Sequence, residues 1–338
     1  MILFIKLLMR IHMKNKIIVK LRLLKEIIID LLHLIIFYPN GIIRYIKNYK
    51  KYDLIGDRIS IDSSTICQLN CPICCTGKGD LKNNIIGKGY LKFKLFKKIV
   101  DNNPTIKNIE LANRGESFLN PEINKIINYG FKNKVNLTLD TGTNLNLITD
   151  DTINILIKNK FKRLVISIDG TTNEVYKKYR INGSFEKVIK NINKINYYKK
   201  KYNSKYPKLI WQFIVFKHNI HQLKTAKIMA KNLNMKFKIR LSYQKEKWKG
   251  KNKKYIRNKH GLLPCSQLFF SPQINWDGAL LGCCNNRFDN YGNVFKTSLK
   301  ECLQSKKYKN LKKMILGRTK NKKELFCNKC NSYYRNIL

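Results

Sequence analysis

The chain has 338 residues and a formal net charge of +47 at pH 7. Its length allows one to three domains with a substantial core. Ten cysteines without a signal-peptide pattern indicate a reducing compartment, so we expect a cytoplasmic protein whose cysteines bind metal. We expect no nucleic-acid partner despite the charge, because the basic residues are spread along the whole chain and Lys, Asn, Ile and Tyr all have A/T-rich codons.

Residues 1–55 form a predicted basic, amphipathic helical extension. Residues 1–52 contain eleven Lys or Arg and two acidic residues. The longest apolar run, 27–37, contains Asp30 and His33 and is too short to span a membrane. The extension either caps the main domain or makes peripheral contact with an anionic membrane.

Residues 56–242 alternate strand and helix patterns. The candidate strands are Arg58–Asp62, Lys107–Ala112, Val135–Asp140, Arg163–Asp169, Leu209–Phe216 and Lys236–Leu241. The candidate helices are Phe93–Asn102, Pro121–Asn133, Asp150–Lys158, Ser184–Lys199 and His221–Leu233. Six βα units of this kind predict a parallel sheet, either doubly wound or a partial barrel.

Cys67, Cys71 and Cys74 follow the first predicted strand with the spacing C-x3-C-x2-C. Three thiolates on one short loop suit three irons of a cubane iron–sulfur cluster and leave the fourth iron open to a small molecule. Zinc is an alternative, although structural zinc usually pairs closely spaced cysteines with a distant second pair. Three thiols that only pack together are a further alternative.

This motif resembles the signature of the radical S-adenosylmethionine (SAM) superfamily. The resemblance implies a [4Fe–4S] cluster whose open iron is chelated by SAM. Reductive cleavage of SAM would then yield a 5′-deoxyadenosyl radical that abstracts a substrate hydrogen. The resemblance also selects a partial (β/α)6 TIM-like barrel, with the chemistry at the carboxyl ends of the strands.

The stretch 113–122, NRGESFLNPE, follows the second predicted strand and resembles the family's GGEPLLNPE stretch. That resemblance implies that Gly115, Glu116 and Ser117 lie at the SAM amino group. Glycine permits a close backbone approach. Arg114 stands where glycine is common, and Ser117 stands where proline is usual.

The fourth predicted strand ends in Ser-Ile-Asp-Gly at 167–170 and is followed by Arg180. This run resembles the family's S-I-D-G…Y-x-x-R run. The resemblance places Ser167 and Asp169 near the SAM ribose hydroxyls and Arg180 near the SAM carboxylate. After the third strand, Gly142 stands where relatives often have asparagine, and Asn144 is a weak substitute.

Residues 243–262 are polar and basic and are predicted to be a linker. Residues 263–338 resemble the auxiliary-cluster module called SPASM, in its shorter Twitch form, and we expect a small α+β domain. Its candidate ligands for one auxiliary [4Fe–4S] cluster are Cys265, Cys283, Cys327 and Cys330. Zinc held by the same thiolates is the alternative. Cys284 competes with Cys283, and the spacing from Gly278 favours Cys283.

Three functions are open at this point. We place first the net oxidation of a small metabolite such as a sugar or alcohol, with the auxiliary cluster as electron acceptor. The second is post-translational modification of a peptide. The third is an RNA-binding protein with structural cysteine sites, which salt-sensitive binding without SAM would favour. Either enzyme would need a reductase or a flavodoxin- or ferredoxin-type electron donor. No catalytic base can be named.

Overall fold

The computed structural model describes residues 56–81, 84–241, 267–315 and 325–330. The predicted extension at 1–55, the predicted linker at 243–262 and the candidate ligand Cys265 lie outside these described residues.

Eight strands form one sheet in the order β6-β5-β4-β3-β2-β1-β7-β8. They are β1 Arg58–Ile61, β2 Asn108–Glu110, β3 Asn136–Thr143, β4 Arg163–Ser167, β5 Lys208–Val215, β6 Lys236–Leu241, β7 Gln273–Ile274 and β8 Leu280–Gly282. Neighbours from β6 to β7 pair in parallel, and only β7 with β8 is antiparallel. Within the described residues β6 and β8 are the two edges, so the sheet is not closed there, which confirms the predicted partial barrel.

Nine helices are present in the described residues. They are α1 Phe93–Asn102, α2 Ile123–Lys132, α3 Asp150–Lys158, α4 Asn173–Lys177, α5 Phe185–Lys201, α6 Leu223–Asn232, α7 Gln267–Phe270, α8 Leu299–Gln304 and α9 Lys306–Ile315. The five helices predicted in the barrel are all found, within two residues at each end, and the short α4 is additional. None of the helices in the described ranges is long and apolar enough to cross a membrane.

Alternating side chains on the strands separate the core from the barrel interior. On β5, Leu209, Trp211 and Phe213 belong to the main hydrophobic core, whereas Gln212 lies on the other face, opposite Ser167 of β4. The helices cover the apolar face, as α1 does by burying one stripe of its surface in this core. Polar side chains therefore line the interior and lead to the carboxyl ends of the strands.

The C-terminal module continues the barrel sheet. Its strand β7 pairs with β1, with Ser60 opposite Gln273, and β8 folds back on β7 through a turn that contains Gly278 at φ +90°. The hairpin of β7 and β8 is short, and the residues before it, 267–270, are helical. The helices α8 and α9 follow each other directly but are separate, since Ser305 between them has an extended ψ of 147°.

Candidate active site

The three cysteines of the first motif lie on the loop that follows β1. Cys71 is buried, and Cys67 and Cys74 are half-buried beside it in a small apolar cluster with Leu69. The Leu69 N–H donates to the Cys67 sulfur at 3.4 Å, and Nη1 of Arg180 lies 3.9 Å from the Cys71 sulfur. The loop thus brings the three thiols together and surrounds them with hydrogen-bond donors.

The surroundings of the three thiols shift their pKa values in different directions. Burial raises the pKa of Cys67 to about 12 and also raises the pKa of Cys71, whereas hydrogen bonds from Cys75 and two backbone N–H groups lower the pKa of Cys74. Among the described residues, no three His, Cys, Asp or Glu side chains converge at distances suited to one ion. A cubane needs no such convergence, because each thiolate binds a different iron.

The predicted SAM-contact stretch runs directly against this loop. The Gly115 N–H donates to the Ser64 carbonyl at 3.1 Å, and a Cβ on Gly115 would lie 2.3 Å from that oxygen, so only glycine fits. The next residue, Glu116, donates its N–H to the carbonyl of Ile66 at 2.8 Å. The Ser117 hydroxyl instead donates to a carbonyl at the end of β2, at 3.2 Å.

The Glu116 carboxylate is buried and binds the end of β3. It accepts hydrogen bonds from the Thr143 hydroxyl at 2.5 Å and from the Asn144 N–H at 2.7 Å, and burial raises its pKa. The Asn144 side-chain amide in turn lies 3.7 Å from the Cys67 sulfur. Asn144 therefore connects the SAM-contact stretch with the first cysteine, a role that its sequence position indicated only weakly.

Gly142 has a steric reason to be glycine. Its φ is +126°, and a Cβ there would lie 2.5 Å from the hydroxyl oxygen of Ser167. That hydroxyl accepts a hydrogen bond from Gln212 at 3.3 Å. The departure from the family pattern at Gly142 thus makes room for Ser167, one of the predicted ribose contacts.

Asp169 and Arg180 are paired with each other. Asp169 is fully buried, and Nε and Nη2 of Arg180 each lie 2.7 Å from its Oδ2. The other carboxylate oxygen accepts the Ile214 N–H at 2.7 Å. Burial raises the pKa of Asp169, and the Arg180 charge opposes that rise. Their contacts with SAM stay predictions, as do those of Gly115, Glu116, Ser117 and Ser167.

The C-terminal module brings together three of its four candidate ligands. Cys283 and Cys327 are buried around Tyr308. Burial raises the pKa of Cys283 to about 11, and the neighbouring thiols of Cys284 and Cys330 add to that rise. Cys284 is exposed, and its backbone carbonyl accepts a hydrogen bond from Arg114. The choice of Cys283 over Cys284 as a ligand stays a prediction.

Gly77 and Arg114 are two site residues without a predicted role. A Cβ on Gly77 would lie 2.6 Å from the Cys71 backbone nitrogen, so this glycine lets the chain turn back against the cysteine loop. Arg114 is buried between the loop and the C-terminal module. Its only signal in the sequence was a charged residue where glycine is common.

Comparisons with known proteins agree with this geometry. A profile of the radical SAM superfamily matches residues 61–206. Residues 61–206 are thus a radical SAM domain. A second profile, of the iron–sulfur cluster-binding domain called SPASM, matches residues 265–331. The radical SAM domain identifies an enzyme with SAM and a [4Fe–4S] cluster as cofactors, and the SPASM domain implies auxiliary iron–sulfur binding.

A curated relative shares 32% identity over 156 residues with this radical SAM protein. It is a cysteine-type anaerobic sulfatase-maturating enzyme of Clostridium novyi (strain NT). The match covers 42% of the chain and 40% of the relative. The aligned region is therefore less than half the length of either protein.

Two solved structures share the fold at low sequence identity. SuiB of Streptococcus suis bound to S-adenosylmethionine has a TM-score of 0.62 and 15% identity, with 85% of this chain and 74% of SuiB covered. The protein anSMEcpe with AdoMet and the Cp18Cys peptide has a TM-score of 0.54 and 16% identity, with 82% and 86% covered. SuiB has also been solved with its precursor peptide SuiA, at a TM-score of 0.57 and 16% identity, with 87% and 74% covered.

Proposed function

We propose that this radical SAM enzyme modifies a peptide or protein substrate. The observation that carries the proposal is the 32% identity to an enzyme that matures sulfatases. Two structures with the same fold, SuiB and anSMEcpe, are described with bound peptides. These relatives favour peptide modification over the oxidation of a sugar or alcohol, which the sequence alone had placed first.

In this proposal the first cofactor site consists of Cys67, Cys71 and Cys74. When bound there, the cluster and SAM supply the hydrogen-abstracting chemistry. The protein's own contribution is to hold the site in shape. Gly115 keeps the SAM-contact stretch against the cysteine loop, and Glu116 fixes the neighbouring end of β3.

Cys283, Cys327 and Cys330, completed by Cys265, would hold the auxiliary cluster. The substrate would enter at the barrel mouth, between the SAM site and the C-terminal module. We further propose a reductase or a flavodoxin- or ferredoxin-type electron donor, a cytoplasmic location consistent with the reduced cysteines, and peripheral membrane contact through residues 1–52.

The first experiment tests both cofactor sites. Protein with clusters rebuilt without oxygen is reduced with dithionite, and its EPR spectrum is recorded with and without SAM. We expect SAM to change one signal, and we expect Cys67→Ala/Cys71→Ala/Cys74→Ala to lose that signal and keep a second. No SAM effect, or zinc in place of iron, would overturn the proposed activity.

The second experiment separates peptide from metabolite. The loaded enzyme is incubated with SAM and either a fully deuterated tryptic digest or a pool of deuterated sugars and alcohols. We expect deuterium to appear in 5′-deoxyadenosine only with the digest, and mass spectrometry then identifies the altered peptide. Deuterium transfer from the sugar and alcohol pool alone would restore the small-metabolite hypothesis.

A further inference from the structure

Arg114 lies in the loop after β2, and its side chain reaches the C-terminal module. Its Nη2 donates to the carbonyl of Cys284 at 2.7 Å and to the carbonyl of Asn286 at 2.8 Å. Both carbonyls belong to the loop that follows β8 and begins at the candidate ligand Cys283. The Arg114 side chain is only 5% exposed. A buried guanidinium thus binds the backbone immediately beyond a candidate cluster ligand.

The backbone of Arg114 ties the same residue to the first site. Its N–H donates to Oδ1 of Asp62, at the end of β1, at 3.1 Å. Its carbonyl accepts the hydroxyl of Thr76, two residues after Cys74, at 2.6 Å. The next residue is Gly115, which packs on the cysteine loop. One residue therefore contacts the cysteine loop, the SAM-contact stretch and the loop after Cys283.

The loop after Cys283 is itself well ordered by hydrogen bonds. The side-chain amide of Asn286 donates to the carbonyls of Leu281 and Asp289 at 2.9 and 2.7 Å, and the Cys284 N–H donates to Gln267 at 2.7 Å. A loop that is internally fixed moves as a unit. Its placement against the barrel depends on the pairing of β1 with β7 and on the side chains that reach across, and Arg114 is one of these.

Arginine suits this position better than lysine. A planar guanidinium can donate to two neighbouring carbonyls at once and stays charged when buried. Nη1 of Arg114 lies 3.7 Å from Oδ2 of Asp62 without forming a hydrogen bond, so the positive charge is only partly offset. A positive charge near an iron–sulfur cluster favours its reduced, more negative state and so raises its reduction potential.

We propose that Arg114 is a positioning residue that fixes the Cys283 loop relative to the SAM site and raises the reduction potential of the auxiliary cluster. The two effects have different physical origins. The position depends on the paired hydrogen bonds to two carbonyls, and the potential depends on the charge. The proposal concerns the two cluster sites and holds for a peptide or a small substrate alike.

Two substitutions in the fully loaded enzyme separate these effects. Arg114→Lys keeps the charge and loses the two-carbonyl geometry, whereas Arg114→Met loses both. Arg58→Met is the matched control, because it removes a half-buried arginine from the opposite end of β1. Iron and sulfide contents are matched before amide hydrogen exchange and EPR-monitored redox titrations are compared.

We expect residues 283–289 to exchange faster in both Arg114 variants and at the wild-type rate in the control. We expect the midpoint reduction potential of the auxiliary cluster to become more negative in Arg114→Met and to stay near the wild-type value in Arg114→Lys. If Arg114→Met cannot be loaded, the exchange rates of Arg114→Lys decide the positional claim.

If the amides of residues 283–289 exchange at the wild-type rate in the Arg114 variants, the positional role is overturned. A lower melting temperature with an unchanged midpoint in Arg114→Met would reduce Arg114 to a stabilising residue. An equal midpoint shift in Arg58→Met would show that charge anywhere in the barrel has the same effect. None of these readouts depends on substrate, so they can fail while peptide modification holds, and the reverse.

Discussion

The arginines and lysines of the protein occupy different regions. Of the 68 Lys and Arg residues, twelve are Arg, and six of these lie in the described residues. None of the six is exposed, whereas most of the described lysines are exposed on the helices and loops. The six arginines are Arg58, Arg114, Arg163, Arg180, Arg240 and Arg287.

The partners of the two residue types differ as well. Arg180 pairs with the fully buried Asp169, and Arg163 pairs with Asp140 inside the barrel. Lys178 pairs with Glu174 where both side chains are at least half exposed. Lysine keeps its ammonium group hydrated, and arginine offers a rigid fork to buried oxygens. The exposed lysines thus set the net charge, whereas two of the less exposed arginines, Arg114 and Arg180, belong to the candidate site.

Removing an interior arginine should have the largest effect on stability. Arg180→Met leaves the Asp169 carboxylate buried without its cation, and we expect a loss of about 3–5 kcal/mol in the free energy of unfolding. Chemical denaturation of the variant and wild type at equal iron content measures it. Arg180→Met/Asp169→Asn should recover part of the loss, because no buried charge is left unpaired. A loss below about 1 kcal/mol for the single variant would contradict the comparison.

An interior carboxylate should make stability depend on pH. Glu110 lies inside the barrel near Asp140 and Lys238. Burial, helped by the Asp140 charge, raises the pKa of Glu110 to about 7 in spite of hydrogen bonds from Thr138 and the Asp140 backbone. The folded protein therefore binds this proton more tightly than the unfolded chain does. The resulting stabilisation is complete below about pH 4.5 and is lost as the pH rises through about 7, a change of about 3 kcal/mol.

Denaturation curves between pH 4 and 8 measure this loss of stability. In Glu110→Gln the part of the loss that occurs as the pH approaches 7 should be absent. A second fall remains at lower pH, because burial raises the pKa of Asp62 from 3.8 to about 6. That fall should end near pH 6 in both proteins. An identical pH profile for wild type and Glu110→Gln would show that Glu110 titrates normally inside the barrel.

Two glycines with positive φ allow a similar comparison between a crowded position in the site and an open one outside it. Gly142 faces Ser167, whereas Gly79 has positive φ and no atom within 4 Å of the position that a Cβ would take. We expect Gly142→Ala to cost about 2 kcal/mol and to weaken SAM binding by displacing the Ser167 hydroxyl. Gly79→Ala should cost about 1 kcal/mol and leave SAM binding unchanged. Calorimetric titration measures the affinity of each variant for SAM, and denaturation measures its stability. If Gly142→Ala binds SAM as tightly as wild type does, Ser167 does not belong to the SAM site.

Local patterns predicted most of the barrel. The strands and helices alternate with clear apolar periods, and the first three cysteines share one loop, so their proximity needs no knowledge of the fold. Two features lay beyond local patterns. The pairing of β1 with β7 joins residues more than 200 positions apart, and Arg114 reaches Cys284 across a comparable span. Such contacts depend on the folded sheet and leave no periodic trace in the sequence.

The smallest expected effect concerns an exterior lysine. Lys178 and Glu174 are four residues apart with their charged groups 2.9 Å apart, and Lys178 is 50% and Glu174 79% exposed. Water and salt screen such a pair, and ordering two long side chains costs entropy. A double-mutant cycle of Lys178→Ala and Glu174→Ala should therefore give no coupling that denaturation can resolve, at low or high salt. A measurable coupling would mean that the exposed lysines also shape the structure, and the division between site-building arginines and surface lysines would no longer hold.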